Sequence, residues 1–87
     1  MFHKVKEVKA IKKYELFVTF VDGTIKKYDV EKLFSVWECF QSLKEIDGLF
    51  QNVKVDAGGY GICWNDEIDL ACDELWENGI EIKKEYV

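Results

Sequence analysis

The strongest constraint on the fold of this chain is the dipeptide Asp22-Gly23, which separates two runs rich in β-branched and aromatic residues. The first run covers residues 14–21 and the second covers residues 24–30. Side chains of these types favour strands, and glycine accepts the positive φ that a tight turn requires. The sequence therefore predicts a β-hairpin over residues 14–30.

Other segments also have the composition of strands. In Val5–Ile11, lysines and glutamate separate the apolar residues, which is typical of an edge strand whose charges discourage intermolecular pairing. Residues 52–56 and 60–64 alternate in polarity, and the glycines between them predict a hairpin turn. A phosphate-binding loop is disfavoured there because a strand, not a helix, follows the glycines. Residues 80–87 are predicted to form a charged tail containing a further short strand.

Apolar residues at intervals of three and four predict a helix from Ser35 to Asp47. Ser35 and Glu38 have the spacing of a capping box, in which each side chain satisfies a free amide at the start of a helix. Trp37 and Phe40 lie at helical spacing, so we expect both rings to be core.

A second, shorter helix is predicted over residues 70–77, with Asp69 as its N-terminal cap and Asn78-Gly79 at its end. The order of elements is then β-β-β-α-β-β-α. Strands joined by hairpins and followed by helices indicate an α+β fold with a small, mainly antiparallel sheet covered by one or two helices. A chain of 87 residues is predicted to form one domain, because it is too short for two independent cores.

The charges divide the chain into a basic and an acidic part. Residues 1–32 contain eight lysines and five acids, whereas residues 33–87 contain four lysines and twelve acids. The net charge is −5 and every basic residue is a lysine, so the bidentate arginine contacts that are common in phosphate and guanine recognition are missing. This pattern argues against direct nucleic-acid binding and favours a protein partner with a basic surface.

No catalytic or metal-binding pattern is recognisable in the sequence. His3 is the only histidine and has no cysteine or serine beside it in a known motif. Cys39, Cys63 and Cys72 are odd in number and lack the paired spacing of zinc ligands or of a disulfide framework. We therefore predict a protein that is not an enzyme and needs no cofactor or metal. With no apolar stretch long enough for a signal peptide or a membrane span, it is expected to be cytoplasmic, without membrane contact.

Four motifs together carry a resemblance to a known family: Thr19–Thr24, Phe50–Asp56, Gly58–Trp64 and Asp69-Leu70. On these motifs the chain resembles the bacterial domain-of-unknown-function family 2442 over about residues 3–79. The resemblance implies a small α+β domain without an established activity. It also implies a gene neighbour from domain-of-unknown-function family 4160, in an arrangement similar to toxin and antitoxin pairs.

We therefore expect a non-enzymatic protein-binding module, antitoxin-like, that contacts a small basic protein. The alternative is a domain that binds a small ligand or a divalent cation through the same acids, with no or weak hydrolytic activity. A homodimer through the strand at residues 3–12 or the tail at residues 80–86 is a further alternative. An interface often combines an aromatic anchor with charges, although the two tryptophans concerned would also suit the core. The predicted contact surface consists of Trp64, Asp66, Glu67, Asp69, Glu74 and Trp76.

Overall fold

The structure is a computed structural model that describes residues 2–82 of the chain. Within this range the chain forms strands joined by short helical turns and two short α-helices. The strands are β1 Val5–Ile11, β2 Glu15–Phe20, β3 Ile25–Asp29, β4 Lys54–Val55, β5 Gly61–Asn65, β6 Ile68–Ala71 and β7 Ile80–Glu81. The helices are α1 Ser42–Glu45 and α2 Cys72–Asn78, and 3₁₀ turns lie at Glu31–Leu33, Glu38–Gln41, Phe50–Asn52 and Ala57–Gly59. None of the described helices has the length and hydropathy to cross a membrane.

The strands form two antiparallel sheets. One sheet has the order β1-β2-β3-β7 and the other has the order β4-β5-β6. The predicted α+β class and antiparallel pairing are thus confirmed, with the strands divided between two small sheets. The predicted last strand is also found, since Ile80 and Glu81 pair with β3. Residues 83–87 of the predicted tail lie outside the described residues.

The predicted hairpin over residues 14–30 is formed by β2 and β3. Gly23 has a φ of 97°, in the left-handed region that favours glycine, and the Asp22 carboxylate accepts a hydrogen bond of 2.9 Å from the Thr24 amide. The turn is therefore stabilised by both residues of the Asp-Gly pair. The second predicted hairpin is also present, with β4 and β5 joined across the glycines.

One hydrophobic cluster connects the two sheets. On β2 the alternate residues Leu16, Val18 and Phe20 are buried, whereas Phe17 is exposed on the opposite face. The sheet of β4, β5 and β6 contributes buried residues through the same alternation, and α2 closes the core with Leu75. The remaining members of the cluster are Val5, Tyr28, Val30, Leu33, Phe34, Phe40, Leu43, Phe50, Ile62, Trp64, Ile68, Leu70 and Cys72.

The long helix predicted from Ser35 to Asp47 is wrong. The segment instead contains the 3₁₀ turn Glu38–Gln41 followed by the single-turn α1. Trp37, which precedes the turn, has extended backbone angles, so Ser35 does not cap a helix.

The spacing of the apolar residues is itself unfavourable for a long α-helix. Phe34, Trp37, Phe40, Leu43 and Ile46 are separated by three residues each time. This interval matches the about three residues per turn of a 3₁₀-helix and drifts around an α-helix, which has about 3.6. An α-helix would therefore not hold these side chains on one face.

The predicted start of the second helix is also wrong. Asp69 does not cap it, because Ile68 and Leu70 continue the strand alternation through β6 and α2 begins only at Cys72. The strand forms because the Asn65 side chain closes a tight turn between β5 and β6. Its Oδ1 accepts hydrogen bonds of 2.9 Å from the Glu67 amide and 3.0 Å from the Ile68 amide.

Candidate functional site

A groove of about 340 Å³ lies between β6 and the 3₁₀ turn that precedes α1. Residues far apart in the sequence form its walls. We call it the acidic groove, defined by Glu67, Asp69 and Glu74 together with Trp37, Cys39 and Phe40.

The three carboxylates of the acidic groove come from three different elements. Glu67 lies in the β5–β6 turn, and Asp69 projects from the exposed side of β6 because Ile68 and Leu70 point into the core. Glu74 lies in the first turn of α2 and accepts a hydrogen bond of 2.6 Å from the Tyr28 hydroxyl. Within residues 2–82 no lysine lies within ion-pair distance of these acids. Among the described residues, therefore, no cationic side chain forms an ion pair with them.

Trp37 is the aromatic side chain at the rim of the acidic groove. Its side chain is 45% exposed, and its ring centroid lies 5.5 Å from that of the buried Phe40. The prediction that Trp37 belongs to the core is therefore wrong, although the same prediction for Phe40 is confirmed. An exposed indole supported by a buried ring is a rigid contact surface.

The two tryptophans of the predicted surface lie elsewhere. Trp64 is only 2% exposed, and its Nε1 donates a hydrogen bond of 3.0 Å to the Phe50 carbonyl oxygen, so it is a core residue and not a surface contact. Trp76 is half-buried and stacks on His3 with ring centroids 3.5 Å apart. Neither ring lines the acidic groove.

The predicted acids divide into two groups. Glu67, Asp69 and Glu74 are brought together in the acidic groove, whereas Asp66 is exposed at the β5–β6 turn and does not line it. Sequence analysis thus found the carboxylates but missed Trp37 as their aromatic neighbour. The strict spacing of three residues through Trp37 was the signal that could have indicated a departure from an α-helix.

The thiols of Cys63 and Cys72 are poor nucleophiles. A hydrogen bond to the Asp56 carboxylate and burial raise the pKa of the Cys63 thiol, and burial and Asp73 raise the pKa of the Cys72 thiol. A raised pKa leaves less of the reactive thiolate at neutral pH. Within residues 2–82 no three histidine, cysteine or acidic side chains are arranged to hold a metal ion.

Comparison with protein-family models identifies the family of this chain. A family model described as protein of unknown function (DUF2442) matches residues 5–81. The chain belongs to the DUF2442 family. The match begins at the first residue of β1 and ends at the last residue of β7, so it covers both sheets and the acidic groove. Neither curated proteins nor solved structures gave a match.

On one side of the acidic groove of this DUF2442 domain, the part-buried hydrogen bond between Tyr28 and Glu74 can be tested by the pH dependence of stability. Burial first, and then the hydrogen bond to Glu74 and the negative charges of Glu74 and Asp29, raise the pKa of Tyr28 well above its ordinary value of 10. The folded protein therefore retains the phenolic proton at pH values where the unfolded chain releases it.

We expect Tyr28→Phe to flatten the alkaline part of the stability curve. Below a pH of about 10 the Tyr28 hydroxyl is protonated in both the folded and the unfolded wild-type protein. Its titration therefore does not change the free energy of unfolding in that range. Above about pH 10 only the unfolded state loses the proton, and the free energy of unfolding falls by up to about 1.4 kcal/mol per pH unit. Urea unfolding at several alkaline pH values would measure this slope.

Tyr60→Phe is the matched control, because the Tyr60 side chain is exposed. We expect it to keep the wild-type alkaline slope. An equal slope in Tyr28→Phe and wild type would contradict the burial and hydrogen bonding of the Tyr28 hydroxyl. At neutral pH, Tyr28→Phe should cost about 1 kcal/mol through the lost hydrogen bond.

Proposed function

We propose that this DUF2442 domain is a non-enzymatic protein-binding module whose acidic groove receives a basic segment of a partner protein. The observation that carries the proposal is the exposed Trp37 on the same groove as the carboxylates of Glu67 and Asp69, which form no ion pair within residues 2–82. Both kinds of group attract a cationic side chain, the indole through its π-face and the carboxylates through their charge.

The chain already contains a contact between a lysine and a tryptophan ring of the kind proposed for Trp37. The Lys26 ammonium lies 4.3 Å from the centroid of the Trp76 ring, which is ordinary cation–π geometry. A partner lysine beside Trp37 would have a similar contact and an ion pair with a groove acid in addition. At exposed sites each such contact contributes about 0.5–1 kcal/mol, so several together are needed for useful affinity.

The proposed partner is a small basic protein, and the pairing is antitoxin-like in the sense that the acidic groove covers part of its basic surface. The net charge of −5 supports association with a basic partner through long-range attraction. We place the complex in the bacterial cytoplasm, where a reducing environment keeps Cys39, Cys63 and Cys72 as free thiols.

The proposal predicts binding of a short synthetic peptide in which lysine alternates with threonine. Because Trp37 lines the acidic groove, the peptide should change tryptophan fluorescence in wild type and much less in Trp37→Phe. Raising the ionic strength from about 0.05 M to about 0.5 M should weaken binding by about tenfold, since exposed charges are screened.

A peptide in which glutamate alternates with threonine is the matched control and should not bind. Equal binding of the two peptides, or no binding of the lysine peptide, would overturn the proposal. Titration with magnesium, calcium or manganese ions in the absence of peptide tests the alternative function. A change in tryptophan fluorescence that saturates with ion concentration would favour a divalent-cation site in the same groove.

A further inference from the structure

The acidic groove runs beside the free edge of a sheet. β6 is the last strand in the order β4-β5-β6, and among residues 2–82 no strand pairs with its other side. Asp69, Leu70 and Ala71 of β6 all line the groove. An unpaired strand edge is a template for an added strand from another chain.

The hydrogen-bond pattern shows which backbone groups of β6 face the groove. The Cys72 amide donates to the Tyr60 carbonyl oxygen at 2.9 Å, and β5 pairs with β6 in continuous register from Gly61–Ala71 to Cys63–Asp69. Hydrogen-bonded pairs alternate along an antiparallel ladder, so Ile62 and Leu70 form the next hydrogen-bonded pair.

The intervening residue Asp69 consequently points its amide and its carbonyl away from β5. The amide of Ala71 also points away from β5. The pairing of β5 with β4 agrees with this assignment. The Asp56 amide donates to the Gly61 carbonyl oxygen at 2.9 Å, so the backbone amides and carbonyls of Gly61 and Cys63 face β4 and not β6. Asp69 thus presents a carboxylate, a backbone donor and a backbone acceptor to one groove.

We propose that the partner binds as an extended, lysine-bearing segment that adds to the edge of β6 as an antiparallel fourth strand. This inference rests on the proposed function and specifies how the acidic groove holds its occupant. The groove volume of about 340 Å³ leaves room beside the edge, with Trp37 and Phe40 on the opposite wall. The charges of Glu67 and Asp69 select a basic segment.

The register follows from the direction of the Asp69 backbone. A residue directly opposite Asp69 exchanges two backbone hydrogen bonds with it, and its side chain lies on the same exposed face as the Asp69 carboxylate. A lysine at that position forms a cross-strand ion pair with Asp69. The lysine amides of the occupant therefore face β6, and the amides of the intervening residues face away.

A second copy of this chain does not fit the same edge as an occupant. Symmetric pairing of two β6 strands would place Glu67 and Asp69 close to the same acids of the other copy. Like charges on opposed strands are destabilising. The occupant is thus a segment of opposite charge.

Three versions of the lysine–threonine peptide test this mode of binding. One version is unmodified. The second carries a methyl group on the backbone amide nitrogen of each lysine, and the third carries it on the backbone amide nitrogen of each threonine. All three therefore have the same side chains and the same charge. We expect lysine methylation to weaken binding by at least about tenfold, because it removes the amides that face β6. Threonine methylation should change binding by less than about twofold, because those amides face away from β6.

Amide hydrogen exchange gives an independent measurement on the protein. The unmodified peptide should slow exchange at Asp69 and Ala71, whose amides face the groove. Leu70 is the internal control, because its amide is already directed at Ile62 in the sheet and should change little.

The outcomes separate this inference from the proposed function. Equal binding of all three peptides, with no protection at Asp69, would overturn strand addition and leave the basic partner of the acidic groove intact. Loss of binding on threonine methylation alone would overturn the inferred register, since threonine and not lysine would then lie opposite Asp69. Failure of the unmodified peptide to bind would overturn the proposed function itself.

Discussion

Replacing Trp64 by alanine should lower the free energy of unfolding by about 4 kcal/mol, the largest stability effect that we expect in this chain. The Trp64 ring is 2% exposed and lies 5.9 Å from the Phe40 ring and 6.3 Å from the Phe50 ring, measured between centroids. Truncation would leave a cavity between the two sheets and would remove the hydrogen-bond donor of the Phe50 carbonyl oxygen.

Trp37→Ala is the matched substitution at an exposed tryptophan. Because nearly half of the Trp37 side chain is already in solvent, we expect a loss of about 1 kcal/mol or less. Urea unfolding followed by circular dichroism would compare the variants without depending on tryptophan fluorescence. Trp64→Phe retains an aromatic ring and should fall between Trp64→Ala and wild type, which keeps the test valid if Trp64→Ala does not fold. Similar stabilities of Trp64→Ala and Trp37→Ala would contradict the assignment of Trp64 to the core.

The two tryptophans also illustrate why the sequence predicts some features and not others. The Asp22-Gly23 hairpin was predictable because its turn depends on two neighbouring residues and on the strand composition beside them. The exposure of a tryptophan is decided instead by which elements pack over it. Sequence analysis placed Trp64 on the predicted contact surface and Trp37 in the core, whereas the structure buries Trp64 and exposes Trp37.

The acidic groove was predictable only in part, for the same reason. The density of acids between Asp66 and Glu74 pointed to Glu67, Asp69 and Glu74. The aromatic wall was missed because Trp37 was assigned to a long α-helix, whereas in the structure Trp37 has an extended backbone just before a 3₁₀ turn and its side chain is exposed. The edge of β6 was missed because Asp69 has the properties of a helix cap, and the side-chain bonds of Asn65 that start the strand require the folded turn.

The double charge reversal Glu67→Lys with Asp69→Lys should weaken binding of the lysine–threonine peptide by about 100-fold. Both carboxylates are exposed, so each ion pair with a partner lysine is worth about 0.5–1 kcal/mol. Reversal replaces two attractions with two repulsions of similar size, and the sum approaches the about 2.7 kcal/mol that corresponds to 100-fold. Fluorescence titration of Trp37 would measure the change. Glu74 is left unaltered, because its carboxylate accepts the hydrogen bond of Tyr28 and its replacement would also alter the core.

The control for total charge is Asp66→Lys with Glu77→Lys, which makes the same change in net charge at two exposed acids outside the acidic groove. We expect this variant to lose less than about fivefold in affinity, because charges farther from the bound segment are partly screened. Both double variants should keep nearly the wild-type stability to urea, since none of the four side chains is buried. Equal losses of affinity in the two variants would mean that net charge alone attracts the peptide and that the acidic groove is not its binding site. A selective loss in Glu67→Lys with Asp69→Lys would tie binding to the face of the domain where these carboxylates, Trp37 and the open edge of β6 meet.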